Sequence, residues 1–175
     1  TDDVFCLLMG GGWRARPFSD AELVWIVGEG AGGDLGSIAL CVGVIAWHLA
    51  LDRELTARLR SGVSDAELDA VIDEILRVDD PFTSNRRRTT CPVKVAGVEI
   101  PEGEVVKLHW TSANRDETRF GPVFDPAAHA AHNLVYGIGP HVCPGRGLAT
   151  MELRGFVQEF LAGTSDFVLG ADAER

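Results

Sequence analysis

The spacing of hydrophobic residues along the chain predicts a protein built mainly from helices. Ser19 followed by Glu22 forms a capping box, which is typical of the start of a helix, and hydrophobic residues dominate from there to about Leu51. The segment is either a strand, a glycine turn and a helix, or one long kinked helix of about 45–50 Å at 1.5 Å per residue. Both interpretations remain open because five glycines interrupt its middle: Gly28, Gly30, Gly32, Gly33 and Gly36.

Elsewhere, hydrophobic residues recur at every third and fourth position, as on one face of a helix. Residues 2–9 predict the end of a helix, and residues 52–60 a short amphipathic one. Ser64 and Glu67 form a second capping box, which opens a helix to about Val78. Residues 146–161 predict the last helix. The hydrophobic face of the second capped helix is made of Leu68, Val71, Ile72, Ile75 and Leu76.

Between the second capped helix and the last helix, the hydrophobic residues follow a different spacing. Val93, Val95, Val98 and Ile100 alternate with polar residues around two turns, so residues 91–107 predict a small hairpin sheet. Residues 111–132 are polar and irregular, and a long stretch of this kind is usually functional or held by specific contacts. The predicted fold class is mainly α with a small β hairpin sheet.

Composition limits the classes of function. The 175 residues, 46% of them hydrophobic, suffice for one domain with a core. A net charge of −10 argues against nucleic acid as a partner. The longest apolar stretch, residues 38–51, is too short to span a membrane, and no signal peptide is recognised, so a soluble, cytoplasmic protein is expected. The cysteines show no C-x-x-C pair, which argues against a zinc site or a disulfide scaffold: Cys6, Cys41, Cys91 and Cys143.

One cysteine stands in a special context. Residues 133–149 read NLVYGIGPHVCPGRGLA, a glycine-bent loop followed by Cys143 and the start of a helix. A helix N-terminus and nearby backbone N–H groups favour a thiolate, and flanking glycines let a flat ligand approach the backbone. These are the requirements of a thiolate ligand to haem iron. The alternative is that Cys143 is a small buried hydrophobic residue, as most free cysteines are.

The loop resembles the signature of the cytochrome P450 family, an aromatic residue followed by G-x-G-x-H-x-C-x-G. The matching residues are Tyr136, Gly137, Gly139, His141, Cys143 and Gly145. Three further stretches resemble the family in the same order. Residues 31–34 (AGGD) are similar to the motif at the kink of its long I helix, Glu74 and Arg77 to its E-x-x-R pair, and residues 113–116 to its ANRD stretch. The resemblance favours the single long helix over the strand and turn.

The resemblance implies a haem-thiolate monooxygenase that inserts one oxygen atom of O₂ into a small organic substrate. Its cofactor would be haem b with Cys143 as axial ligand, and Arg87 and His141 would hydrogen-bond the propionates. Asp34 is the candidate proton relay, and the Glu74–Arg77 pair would hold the cysteine loop. Without the resemblance, that pair is an ordinary surface pair.

The resemblance also concerns domain organisation and partners. Residues 1–175 would form a partial P450 domain, from the I helix through the L helix, without the N-terminal half. Electrons would come from a ferredoxin- or flavodoxin-type partner or from a fused reductase. The GDLGS run at residues 33–37 is similar to that of a bacterial subgroup, which includes members with their own reductase domain.

The sequence departs from the family in two places. Leu35 stands where the family has a threonine that helps deliver protons to bound oxygen. The E-x-x-R network usually has an arginine as its third member, but Ala128 stands there, with His129 beside it. We therefore predict that the ion network is incomplete.

Two rival functions remain open. Gly28, Gly30 and Gly33 satisfy the G-x-G-x-x-G pattern of dinucleotide binding, with Asp52 where an acid should bind the ribose. In the second rival, the chain is an interaction module or a truncated, non-catalytic relic that keeps the fold without the turnover.

Overall fold

The computed structural model describes residues 8–13 and 16–171. Its elements confirm a mainly α fold with small antiparallel sheets. In chain order they are β1 (Gly12–Trp13), β2 (Arg16–Pro17), α1 (Asp20–Gly32), a π-helical turn (Gly33–Ser37), α2 (Ile38–Leu51), α3 (Arg53–Arg60), α4 (Asp65–Val78), β3 (Ser84–Arg88), β4 (Val93–Val95), β5 (Val98–Ile100), β6 (Val105–His109), α5 (Trp110–Asn114), α6 (Glu117–Phe120), α7 (Pro126–His129), a 3-10 turn (Gly139–His141) and α8 (Arg146–Gly163). The helix expected over residues 2–9 lies mostly outside the described residues.

The chain divides into two compact units, Thr1–Ala39 and Leu40–Arg175. In the first unit, the capping box at Ser19 is complete, because Glu22 Oε2 accepts from the Ser19 backbone N–H at 2.9 Å. Arg16 pairs with the same carboxylate, at 2.6 Å between Nη2 and Oε1. The start of α1 is therefore fixed by local polar contacts, as the sequence predicts.

The glycine-rich segment is helical throughout, which makes the dinucleotide-binding interpretation wrong. Gly28 and Gly30 lie within α1, and the backbone N–H of Gly33 donates to the carbonyls of Glu29 and Gly30. A phosphate-binding turn needs a strand before it and free N–H groups at its glycines. Here the segment before the glycines is helix from Asp20 onwards, so the apolar residues that suggested a strand belong to α1.

The helical segment Asp20–Leu51 is long and apolar enough to cross a membrane, with a mean hydropathy of 1.7 and 17% of its most apolar stretch buried. It exceeds the stretch expected from the sequence because α1, the π-helical turn and α2 form one continuous helix. One such helix is weak evidence for a membrane, because core helices of soluble proteins meet the same criteria.

The core of the second unit lies between α2, α3, α4 and α8. Polar pairs align α4 with α8: Gln158 contacts Asp65, and Arg154 contacts Asp69 at 2.9 Å. Residue numbers fall along α8 as they rise along α4, so the two helices are antiparallel. The buried hydrophobic residues that these four helices contribute are Cys41, Ile45, Leu49, Leu55, Leu59, Leu68, Val71, Ile72, Ile75, Leu76, Leu153, Val157 and Leu161.

The predicted hairpin is confirmed as β4 and β5, which pair antiparallel around Ala96 and Gly97. A second pair was not predicted: β3 lies antiparallel to β6, with Arg87 opposite Val106. Three consecutive arginines, Arg86, Arg87 and Arg88, are therefore part of a strand. The polar region after β6 contains three short helices, α5, α6 and α7. Side-chain caps start all three, such as Asp125, which accepts from the Ala128 backbone N–H at 3.0 Å.

Candidate functional site

The loop that ends at Cys143 is folded by its own backbone. Gly137 and Gly139 have φ angles of 71° and 73°, in the left-handed region that favours glycine. The Cys143 backbone N–H donates to the Tyr136 carbonyl at 2.8 Å, and the Val142 N–H donates to the Gly139 carbonyl at 3.1 Å. The two glycines thus let the chain turn back, so that the cysteine closes the loop against the aromatic residue that opens it.

Cys143 lies two residues before Gly145, the N-cap of α8, and is half-buried. A helix N-terminus carries a partial positive charge, which favours a thiolate. The other described cysteines lack this setting: Cys91 is exposed, and Cys41 is buried. Burial raises the pKa of the Cys41 thiol to about 11, and the charge of Asp80 acts in the same direction. Of the three, Cys143 is the best placed to ligate a metal as a thiolate.

Several hydrophobic side chains within eight positions of Cys143 in the sequence are exposed. Ile138 in the loop is 70% exposed, and Met151 on the first turns of α8 is 55% exposed. Val142 and Leu148 are exposed as well. Clustered exposed hydrophobic residues are typical of a surface that binds an apolar partner. His141, also exposed, adds a polar group to this segment.

Tyr136 is held from the side of α8. The guanidinium carbon of Arg146 lies 5.0 Å from the centre of the Tyr136 ring, and its Nη2 lies 3.5 Å from a carboxylate oxygen of Asp73 on α4. Burial raises the pKa of Tyr136 to about 12, and the charge of Asp73 adds to the shift. The opening aromatic residue is therefore fixed in its neutral form between two helices.

Glu74 and Arg77 form a buried ion pair on α4. Arg77 Nε donates to Glu74 Oε2 at 2.7 Å and Nη2 to Oε1 at 2.8 Å, and the two side chains are 4% and 1% exposed. The guanidinium also lies over the ring of Phe120, at 4.5 Å. This two-pronged, buried contact is a core feature, because exposed pairs of this spacing contribute little.

The prediction of an incomplete network is wrong, because His129 provides the third member. Its Nδ1 lies 2.7 Å from Glu74 Oε1, and its side chain is 7% exposed. The Asp125 backbone N–H donates to the same oxygen at 3.1 Å. Asp125 caps α7, and the single turn of helix that follows brings residue 129, not residue 128, to face α4.

The network reaches the cysteine loop through Asn114, which is fully buried. Arg77 Nη1 donates to the Asn114 carbonyl, and the Asn114 side-chain oxygen accepts from the Leu134 backbone N–H at 2.8 Å. A second tie comes from Asn133, whose side-chain nitrogen donates to the Asp73 carbonyl at 2.8 Å. The entrance of the loop is thus hydrogen-bonded to α4 on one side and to α5 on the other.

Two candidate residues have no part in the contacts described so far. Arg87 is half-buried on β3, and its Nη1 donates to the Arg86 carbonyl at 2.9 Å. Asp34 lies in the π-helical turn of the first unit and is exposed, as is Leu35 beside it. The contacts of the described residues bring together Tyr136, Gly137, Gly139 and Cys143 with the Glu74–Arg77 network.

A family model described as Cytochrome P450 matches residues 67–163, more than half of the chain and all of the network and loop described above. The chain belongs to the cytochrome P450 family. Cytochrome P450 144 of Mycobacterium tuberculosis is 30% identical to this P450 chain over 149 residues, covering 83% of the chain and 33% of the relative. The erythromycin C-12 hydroxylase of Saccharopolyspora erythraea is 36% identical over 112 residues, which cover 62% of this chain and 28% of the relative.

Solved P450 structures match the fold over the whole chain. A mutant of P450 EryK in complex with erythromycin B matches with a TM-score of 0.90 at 27% identity, covering 100% of this chain and 45% of that one. The open form of EryK from S. erythraea matches with a TM-score of 0.88 at 27% identity, and the match covers 98% of this chain and 44% of that one. This P450 chain spans about a third of the length of the curated relatives it matches, and under half of these solved chains.

The contacts of two residues in the P450 network could not be read from the sequence. His129 is separated from Glu74 by 55 residues, and only the capped turn at Asp125 reveals that it faces α4. Asn114 was part of a recognised motif, but its link to Leu134, 20 residues away, follows from tertiary packing. A polar residue inside a family motif in an irregular region was the available signal for Asn114.

Glu74 should make the P450 fold sensitive to acid. Burial acts to raise the pKa of its carboxyl, but hydrogen bonds from Arg77, His129 and the Asp125 N–H outweigh it and lower the pKa below the usual 4.5. A lowered pKa gives stability that is present above about pH 4.5 and lost as the pH falls through the folded-state value. We expect the difference in unfolding free energy between the wild type and Glu74→Gln to narrow from pH 6 to pH 3. Urea titrations at each pH measure it, and a constant difference would contradict this account.

Proposed function

We propose that Cys143 is the axial thiolate ligand of a haem b, and that the full-length protein inserts one oxygen atom of O₂ into a small organic molecule. The single observation that carries the proposal is the placement of Cys143. It closes a glycine-bent loop, half-buried, immediately before the N-terminus of α8. The other described cysteines are either buried in the core or exposed on a connecting segment.

The residues around Cys143 fit a haem. A flat macrocycle needs an apolar surface and backbone that can approach it closely, and Ile138, Val142, Leu148 and Met151 expose hydrophobic side chains on either side of the cysteine. Gly137, Gly139 and Gly145 keep side chains away from the backbone of the loop. The Cys143 N–H is already used by the Tyr136 carbonyl, which holds the cysteine in place.

The residues of the chain would take distinct roles toward this group. When bound, haem with a thiolate ligand supplies the activation of O₂, which is the chemistry of the cofactor. His141 and Arg87 would donate hydrogen bonds to its propionates, since an exposed imidazole and a guanidinium fork suit carboxylates. Asp34 would relay protons, with help from water or substrate, because Leu35 carries no hydroxyl group.

The relatives support the reaction class. One is named as a hydroxylase of erythromycin, and another, from Streptomyces fradiae, as the 20-oxo-5-O-mycaminosyltylactone 23-monooxygenase. We propose that this protein is also a bacterial type of P450 and acts on a small organic substrate. Its electrons would come from a ferredoxin- or flavodoxin-type partner or from a fused reductase. We further propose that residues 1–175 are the I-helix-to-L-helix part of the domain, in a cytoplasmic protein that binds neither nucleic acid nor a membrane.

The proposal predicts how these 175 residues behave alone. The chain spans about a third of its curated relatives, so one face of a bound haem would stay open to water, which prevents efficient oxygen transfer. Given haem, a reductase, NADPH and O₂, the isolated chain should bind haem weakly, and most electrons should leave as hydrogen peroxide and not in an oxidised product. NADPH consumption, peroxide and product are measured together. Tight coupling by the isolated chain would contradict this prediction.

The same assay in the full-length protein separates an enzyme from its rival. A non-catalytic relic or an interaction module should bind no haem stoichiometrically, even as the full-length protein. The proposed enzyme should bind one haem for each chain, and NADPH should be consumed only when that haem is bound.

A further inference from the structure

One face of the sheet formed by β3 and β6 carries a cluster of positive charges. Arg86 lies directly opposite Lys107, and Arg88 follows two residues later on β3. Opposite residues of an antiparallel pair, and residues two apart on one strand, share a face of the sheet, so the three cations lie on the same side. All three are exposed, whereas Arg87 and Val106, on the other face, are half-buried. We call the side that carries the three cations the basic face.

The charges of the basic face are not neutralised within the part of the chain that the structure describes. Arg88 donates to the Gly103 carbonyl, but Arg86, Arg88 and Lys107 form no ion pair with any described carboxylate. On a chain with a net charge of −10, three such cations on one surface are an exception. Most arginines elsewhere in the described residues pair with a carboxylate: Arg16, Arg53, Arg58, Arg77, Arg115, Arg146 and Arg154.

The arrangement of the basic face opposes folding. Like charges directly opposite each other on neighbouring strands repel and destabilise the sheet, and Arg86 and Lys107 occupy such positions. On β4 and β5 the corresponding positions carry opposite charges, since Lys94 stands opposite Glu99. A local arrangement that lowers stability is expected at sites that serve a function. The like-charge pair of the basic face therefore points to an anion that it binds.

We propose that the basic face binds an extended acidic segment of a partner protein. Residues on one face of a strand lie about 6.5–7 Å apart, and an extended segment with a carboxylate at every second residue repeats that spacing. One carboxylate would lie between Arg86 and Lys107, and the next would meet Arg88, because a guanidinium group suits a carboxylate. Binding of this kind involves no residue of the Cys143 loop and requires no haem.

The number of charges favours a protein segment over a nucleic acid. Binding to nucleic acid depends on many phosphate contacts, about 6–10 in typical cases, whereas the basic face offers only Arg86, Arg88 and Lys107. The rest of this acidic chain would repel a long polyanion. A short acidic segment meets the three cations without bringing much further negative charge close to the chain.

Lys107→Glu tests the proposal because it should change binding and stability in opposite directions. The probe is a short labelled peptide in which glutamate alternates with serine. It is titrated against the full-length protein at low salt, and binding is followed by fluorescence anisotropy. We expect the substitution to weaken binding by about tenfold or more, because it replaces an attraction by a repulsion. It should also raise the urea midpoint, because a carboxylate opposite Arg86 forms a cross-strand ion pair.

Lys94→Glu is the matched control, since it makes the same change of charge on the hairpin of β4 and β5, and the peptide should bind this variant as it binds the wild type. Arg86→Gln is a second variant that removes one cation and the like-charge pair. It should weaken binding severalfold without lowering the urea midpoint, and it decides the matter if Lys107→Glu does not fold.

Two further probes test which anion the basic face prefers. A peptide with the same glutamates at every third residue should bind more weakly, because its carboxylates alternate between two sides of an extended chain. A single-stranded DNA of equal charge should also bind more weakly. The proposal is overturned if the wild type does not bind the alternating peptide or if Lys94→Glu weakens binding as much as Lys107→Glu. Equal or tighter binding of the DNA or of the rearranged peptide would overturn it as well.

Discussion

Replacement of Arg77 by methionine is expected to lower the free energy of unfolding by about 3–5 kcal/mol, as the loss of one partner of a buried ion pair typically does. The carboxylate of Glu74 would stay buried at 1% exposure with no counter-charge. His129 and the Asp125 backbone would be its remaining donors. The Asn114 carbonyl would also lose its hydrogen bond from Arg77. Urea unfolding followed by circular dichroism measures the effect.

The matched control is Arg53→Met, which removes the same atoms from another ion pair. Arg53 pairs with Asp166 across the surface, and the two side chains are 56% and 69% exposed. Solvent and salt screen such a pair, so this substitution should leave the urea midpoint close to that of the wild type. Equal shifts of the urea midpoint for the two substitutions would show that the contribution of the Glu74–Arg77 pair to stability does not depend on its burial.

Local signals in the sequence determined much of the secondary structure. Ser19 with Glu22 and Ser64 with Glu67 each placed the start of a helix correctly, because a capping box depends only on residues three positions apart. The hairpin of β4 and β5 followed from alternation over a few residues. The E-x-x-R spacing placed Glu74 and Arg77 on one helix face, since residues three apart are neighbours there.

Contacts between distant segments were not predictable in this way. The pairing of β3 with β6 joins residues about 20 apart in sequence. Because β3 is mostly basic, it lacks the alternating hydrophobic residues that indicate a strand. The role of His129 depends on a one-residue difference in the turn that follows Asp125. The long helix was ambiguous because glycines suit a phosphate turn as well as a kink, and the family resemblance, not the hydrophobic pattern, favoured the correct interpretation.

Cys143→Ser has the largest expected effect on function. Serine matches cysteine in shape, so the loop hydrogen bond from residue 143 to the Tyr136 carbonyl, at 2.8 Å in the wild type, should survive. The change removes the thiolate, which is the group that donates electron density to the iron in a P450. A serine hydroxyl is far less acidic than a thiol, so it does not supply this anionic ligand. We therefore expect turnover to be lost while the fold is kept.

The absorption spectrum of the reduced carbonyl complex tests the assignment of Cys143 most directly, in the full-length protein loaded with haem. The thiolate-type band should be present in the wild type and absent in Cys143→Ser. Cys41→Ser and Cys91→Ser are the controls, because these cysteines lie in the core and on an exposed segment, and both variants should keep the band. If the band persists in Cys143→Ser, or disappears in Cys41→Ser or Cys91→Ser with the fold intact, Cys143 is not the ligand that this account requires.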